Sequence, residues 1–217
     1  MPQPDSPQLS VDRRQCLPMH PIMQQSFAAI DREMGSHSFT PEEYAIVRRI
    51  IHSTADFEFK DLIRFSPGAI EQGIAALQQQ ATIVTDVNMV KQGIISLVEQ
   101  TFSNPIHSAI DQVTDALPGR TRTETGMLRC FSDFPGAVFA VGNAPTALLA
   151  LCDWLPAPIQ PALVIGAPVG FIAVLESKAA LAATPIPQIR IEGRKGGSAV
   201  AAAIVNALLV LAWEDDD

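Results

Sequence analysis

Gly136-Ala137-Val138-Phe139-Ala140-Val141-Gly142-Asn143-Ala144-Pro145 is the stretch that decides how this chain folds. From Gly136 to Val141 no polar side chain interrupts the run. A short continuous apolar run bounded by turn residues reads as a strand buried on both faces. Gly142-Asn143 supplies the turn, and a helix is expected over 144–155. Pro145 falls in its first turn, where a missing N–H costs nothing, and Asn143 is placed to cap it.

The same strand-turn-helix pattern recurs on either side. Ala162 to Ile165 is a second buried strand, ending in Gly166-Ala167-Pro168-Val169-Gly170 before a helix to about Ala182. Upstream, Ala81 to Thr85 is a strand followed by Asp86 and a helix through Val98. Ile189-Arg190-Ile191 is a short strand, and the last helix starts near Ser198, after the loop Gly193-Arg194-Lys195-Gly196-Gly197. Such alternation predicts an α/β fold with a parallel sheet covered on both faces. In such sheets ligands sit beyond the carboxyl ends of the strands. Those ends are Thr85-Asp86, Gly142-Asn143 and Gly166 to Gly170. The first third is helical instead. Ile22, Met23, Phe27, Ile30 and Met34 form one stripe, which Gly35 ends. Thr40-Pro41-Glu42-Glu43 is a capping box, and Ser66-Pro67 is expected to cap the next helix.

The chain has 217 residues, 47% of them apolar and 18% charged, so it can bury a full core and is not disordered over most of its length. Its net charge of -8 argues against nucleic acid as a partner. Cys16, Cys130 and Cys152 are scattered, an odd count that fits a reducing compartment. Residues 1–15 are polar and Pro-rich, without the apolar region of a signal peptide. The apolar run Ala199 to Trp213 reads as a core helix rather than a membrane span. A cytoplasmic location is therefore expected. Residues 1–19 read as an arm, 20–213 as one domain and 214–217 as an acidic tail.

Fingerprints for a nucleotide, a zinc set or a serine nucleophile elbow are missing, so a nucleotide-binding enzyme is a weak reading and no protein-bound metal is expected. His52 stands out, beside Arg48 and Arg49 at a predicted helix end. The low-bulk turns are expected to offer backbone N–H groups to an anionic ligand.

Several ordered segments are similar to the precorrin-8X methylmutase (precorrin isomerase) family. They are His20-Pro21-Ile22 with Ser26-Phe27, then Arg48-Arg49-Ile50-Ile51-His52-Ser53-Thr54-Ala55-Asp56, then Thr85-Asp86-Val87-Asn88-Met89-Val90. Further on come Gly142-Asn143-Ala144-Pro145-Thr146-Ala147-Leu148, Gly166 to Phe171, Glu176-Ser177-Lys178, Gly193 to Ser198 and Asn206-Ala207-Leu208. Between 101 and 135 the match rests mainly on Thr121-Arg122-Thr123.

The resemblance implies a three-layer, flavodoxin-like α/β/α fold, a homodimer and an isomerase of cobalamin (corrin) biosynthesis. Its reaction moves a methyl group between adjacent ring-C carbons of a tetrapyrrole. Precorrin-8X gives hydrogenobyrinate, or cobalt-precorrin-8 gives cobyrinate, by a 1,5-sigmatropic shift without a cofactor. His52 matches the catalytic histidine and is expected to protonate the ring-C region. Imidazoles suit that task because they ordinarily titrate near pH 6.5. Ser26 and Arg49 are expected to touch substrate near His52, with Arg49 offering a planar fork to a carboxylate. Thr85, Asn143, Thr146 and Gly170 are expected on the floor of the crevice, and Arg122 as a further clamp. Arg194 and Lys195 divide evenly between substrate and surface roles. The competing reading is a non-catalytic tetrapyrrole carrier, which needs no acid at ring C.

Overall fold

The computed structural model describes residues 17, 20–155 and 158–215. Of the expected arm, 1–19, only Leu17 is among the described residues, and residues 216–217 of the expected tail lie outside them.

Six strands form one sheet: β1 (Ile63–Phe65), β2 (Ile83–Thr85), β3 (Ile106–Ser108), β4 (Val138–Val141), β5 (Leu163–Gly166) and β6 (Gln188–Ile191). Their spatial order is β1-β6-β5-β4-β2-β3. β1 runs antiparallel to β6, and all other pairings are parallel. Numbered among themselves, the five parallel strands lie in the order 2-1-3-4-5, the flavodoxin-like arrangement. The strand order reverses between β2 and β4, so the ligand crevice of this topology opens where those two strands end.

Side-chain alternation along the strands feeds two cores. Ile83, Val138, Ala140 and Ile165 pack on one face, under α1 (Pro21–Met34), α2 (Pro41–Thr54), α4 (Ala69–Gln78), α5 (Asn88–Gln100) and α9 (Ser198–Asp215). The short α3 (Phe59–Leu62) joins that layer through Phe59. Val84, Phe139, Val141 and Val164 pack on the other face, with Met127 of α6 (Arg122–Asp133), Leu148 of α7 (Pro145–Trp154) and Leu181 of α8 (Val174–Ala182). α9 is long and apolar enough to cross a membrane by length and composition, but 61% of it is buried in this fold. It is the central helix of its layer, packed against α2, α4 and α5. Glu214 and Asp215, expected in a tail, form its last turn.

Local signals hold at several helix ends. Thr40 and Glu43 form the expected capping box of α2, worth about 1 kcal/mol for the Thr40 side chain. Gly35 ends α1 with a φ of 66°. Two expected caps are corrected. Ser66 does not cap α4: its hydroxyl accepts the Gln188 N–H at 2.8 Å, and Gly68 occupies the cap position with a φ of 74°. Asn143 does not cap α7 either, because Ala144 holds that position without a side-chain bond.

Candidate active site

α2 delivers its C-terminal end to the carboxyl edge of the sheet. The chain then passes through α3 into β1, whose first residue, Ile63, pairs with the last residue of β6, Ile191. Lys195, in the loop after β6, clamps this corner, with Nζ 2.6 Å from Asp56 and 2.7 Å from Glu58. The Lys195 hydrogen bond holds the Asp56 carboxyl below the ordinary carboxylate range. So Lys195 is a strap between two segments, while Arg194 lies 5.7 Å over the Phe171 ring.

His52 sits in the last turn of α2, exposed at this edge. Ser26 of α1 places its hydroxyl 2.8 Å from His52 Nδ1. The next residue, Phe27, packs against the imidazole edge-on, with ring centroids 5.3 Å apart. Phe27 is in turn covered by the Arg48 guanidinium at 4.4 Å, and Arg48 pairs with Asp31 at 3.3 Å. Tyr44 donates to the same Asp31 at 2.6 Å. Burial, then Asp31, push the Tyr44 phenol up to about 12. This network fixes α1 on α2 and with it the imidazole. Nδ1 is engaged, so Nε2 is the nitrogen left for a ligand.

Arg49 precedes His52 by three residues, so the two share a helix face. It is half-buried and has no hydrogen-bond or ion-pair partner among the described residues. Burial, and secondarily Arg48, lower its pKa below the ordinary arginine value. A partly desolvated cation without a partner is a costly arrangement that a ligand carboxylate relieves.

The remaining expected residues sit along the carboxyl edge, on strand ends, turns and the first turns of helices. Asn143 is exposed, and Thr146 is half-buried with its hydroxyl 3.2 Å from that of Thr121. Arg122 opens α6, exposed and beside that contact. Gly170 is half-buried with a φ of 146°. Thr85 is corrected: it is wholly buried, on the same strand face as Ile83, and supports the floor from beneath. Its hydroxyl has no hydrogen-bond partner, and the same holds for Ser108, its register partner on β3.

The expectation of free backbone N–H groups is also corrected. The N–H of Gly170 donates to Arg194 O at 3.3 Å and that of Gly197 to Ala167 O at 2.8 Å. The N–H groups of Gly142, Asn143 and Ala144 all donate to the Asp86 carboxylate, at 3.1, 2.6 and 2.7 Å. The Val87 N–H adds a fourth at 3.0 Å. Burial pushes the Asp86 carboxyl above the ordinary aspartate value, and the four N–H donors pull the other way. Asp86 stood in the sequence as a strand-end residue, but nothing local revealed donors 56 to 58 residues away. Anion recognition at this edge thus falls to side chains.

Among the described residues, no three His, Cys, Asp or Glu side chains group closely enough to hold a metal ion. A separate cleft of about 780 Å³ lies at the opposite, amino end of the sheet, lined by Phe65, Ile70, Leu211 and several carboxylates, away from His52.

Fold and site define a flavodoxin-like α/β protein with a serine-held imidazole and an unpaired arginine over the strand ends. Residues 21–211 match the family described as precorrin-8X methylmutase, and the chain belongs to that family. A cobalt-precorrin-8 methylmutase from Synechocystis sp. is 58% identical over 211 residues, 90% of this chain and 97% of the relative. A precorrin-8X methylmutase from Pseudomonas aeruginosa is 38% identical over 193 residues, covering 86% and 93%. The crystal structure of a precorrin-8X methylmutase from Thermus thermophilus superposes with a TM-score of 0.82 at 42% identity, covering 90% of this chain and 99% of that one.

Proposed function

We propose that this chain, an isomerase of cobalamin biosynthesis, moves a methyl group between adjacent ring-C carbons of precorrin-8X or cobalt-precorrin-8, with Nε2 of His52 as the proton donor. The observation that carries the reading is the exposed His52 imidazole, held at Nδ1 by Ser26 and sharing a helix face with the unpaired Arg49. A proton lent to the ring-C region makes the π-system electron-poor, and the methyl then migrates to the neighbouring carbon. The proton returns to His52 as the conjugated product forms, so substrate and product have the same composition. A positioned acid of this kind contributes about 10²–10⁴-fold, roughly 3–5 kcal/mol of barrier.

Arg49 binds a peripheral carboxylate beside His52. Asn143 and Thr146 provide polar contacts on the floor, Gly170 a close backbone approach, and Arg122 a second clamp at the rim. Ser26 serves the imidazole first and the substrate second. Residues 20–213 work as one catalytic domain. The cobalt-containing ring is favoured as substrate by the 58% identity to a relative named for it.

The working unit is a homodimer in the cytoplasm. Val169, Phe171, Ile172 and Leu175 expose an apolar rim beside the crevice, with Phe171 83% and Ile172 85% exposed. A continuous apolar patch of this kind marks an interface. The test mixes purified protein with each form of the substrate and follows the absorption spectrum. Conversion to a new chromophore is expected; binding without conversion is the outcome of the carrier reading.

A further inference from the structure

Asp86 takes no part in the chemistry proposed above, yet its carboxylate is wholly buried where the strand order reverses, between the ends of β2 and β4. Oδ1 accepts from Val87 at 3.0 Å and Gly142 at 3.1 Å; Oδ2 accepts from Asn143 at 2.6 Å and Ala144 at 2.7 Å. Its own backbone is pinned as well, the N–H to Ala140 O at 3.2 Å and the carbonyl to Ile110 N–H at 3.3 Å. One residue therefore joins the loops that follow β2, β3 and β4.

The turn it holds has its own shortage. α7 begins at Pro145 behind Ala144, a cap position whose methyl group accepts nothing. A cap side chain would serve N–H groups inside the first turn, so those of Gly142, Asn143 and Ala144, ahead of it, need an acceptor of their own. Asp86 supplies the acceptor from a different strand, as an anion at a helix N-terminus. On its other side the turn is walled in. A Cβ on Gly142 would stand 2.8 Å from the Ser198 Cα and 3.0 Å from the Ala201 Cβ, so only glycine allows α9 this close. Held by Asp86 and backed by α9, the turn has one position, and Asn143 is its exposed residue.

We propose that Asp86 is a positioning residue: it locks the Gly142–Ala144 turn so that the Asn143 carboxamide is presented to substrate in one orientation. The inference rests on the reading of Asn143 as a substrate contact. Asp86 acts through the Asn143 backbone, so removing the Asn143 side chain leaves its hydrogen bonds in place. Asp86→Asn keeps the shape but turns an NH2 toward two N–H donors, which loosens the turn. Misplacement by about 1 Å costs on the order of 10²-fold in rate.

The test is a double-mutant cycle on kcat and KM, with the spectroscopic conversion of cobalt-precorrin-8 as readout, for the parent, Asn143→Ala, Asp86→Asn and the double variant. Each single variant is expected to lower kcat/KM by about 10- to 100-fold, and the double variant to be no worse than Asn143→Ala alone. Losses that multiply mean that Asp86 does not act through Asn143, which overturns the inference and leaves the reading of Asn143 intact. A silent Asn143→Ala overturns that reading, and the inference with it. If Asp86→Asn does not fold, Asp86→Glu, which keeps the charge and moves it by one methylene, takes its place in the cycle. Hydrogen exchange of the parent needs no variant. The Asn143 amide, on an exposed residue, is expected to exchange slowly, and fast exchange overturns the inference.

Discussion

The Ser26 hydroxyl stands 2.8 Å from Nδ1 of His52 across the contact between α1 and α2. A residue expected to meet substrate is thereby engaged with the proposed acid. The consequence is a division of labour in one imidazole, with Nδ1 engaged by the protein and Nε2 left as the nitrogen for the proposed proton transfer. Replacing Ser26 with Ala removes one hydrogen bond, worth about 0.5–1.5 kcal/mol, and is expected to lower kcat by about 2- to 10-fold with KM little changed. Steady-state kinetics check this. A rise in KM at constant kcat would assign Ser26 to substrate instead.

Arg49 has no acidic partner among the described residues, whereas its neighbour Arg48 pairs with Asp31. Arg49→Ala is expected to weaken corrinoid binding by roughly 10- to 100-fold, the worth of about 1.5–3 kcal/mol for a hydrogen bond to a charged group. The thermal midpoint is expected to hold or rise, because a half-buried cation is removed with no partner left behind. Binding titration and calorimetry on the same sample test both halves.

Tyr44 is the chain's single tyrosine, so phenolate absorbance reports it alone. Its folded pKa is pushed up to about 12, by burial first and by Asp31 second. An acid with a raised pKa keeps its proton longer in the folded state. Its stabilising contribution is present in full below the ordinary pKa near 10 and is lost as the pH rises through about 12. The ultraviolet titration is expected near 12 in the folded protein and near 10 in denaturant. Asp31→Asn should bring the folded value down, and an unchanged value would remove Asp31 as a cause.

How much of this was legible follows from the range of each signal. Buried parallel strands announce themselves as apolar runs, so β2, β4 and β5 were read nearly in place, and the capping box at Thr40 was read to the residue. β1 and β3 have three residues each, too few for any period to show. α6 went unread although Thr121-Arg122-Thr123-Glu124 is a capping box of the same kind as that of Thr40. The Ser66 cap failed because its hydroxyl is taken by a distant partner, Gln188, and the Asn143 cap because α7 starts one residue later, with Ala144 at the cap position. His52 and Ser26, placed together by resemblance, are in contact. Thr85 is buried because both faces of β2 are covered, so a residue at that strand's end does not reach the crevice.

The apolar rim gives an assembly prediction. Phe171→Asp puts a charge on a side chain that is 83% exposed, at no cost to the core. The parent is expected to be a dimer at micromolar concentration by light scattering and the variant a monomer with lowered activity. A monomeric parent would remove the homodimer from the account.

The most direct test is His52→Ala with the cognate tetrapyrrole, measuring conversion and binding on the same preparation. The account predicts that methyl transfer falls by about 10²–10⁴-fold while binding persists, since the carboxylate contacts come from Arg49 and the loops. A His52→Ala variant that converts substrate at the parental rate would contradict it, and would leave confinement in the crevice as the source of the rate.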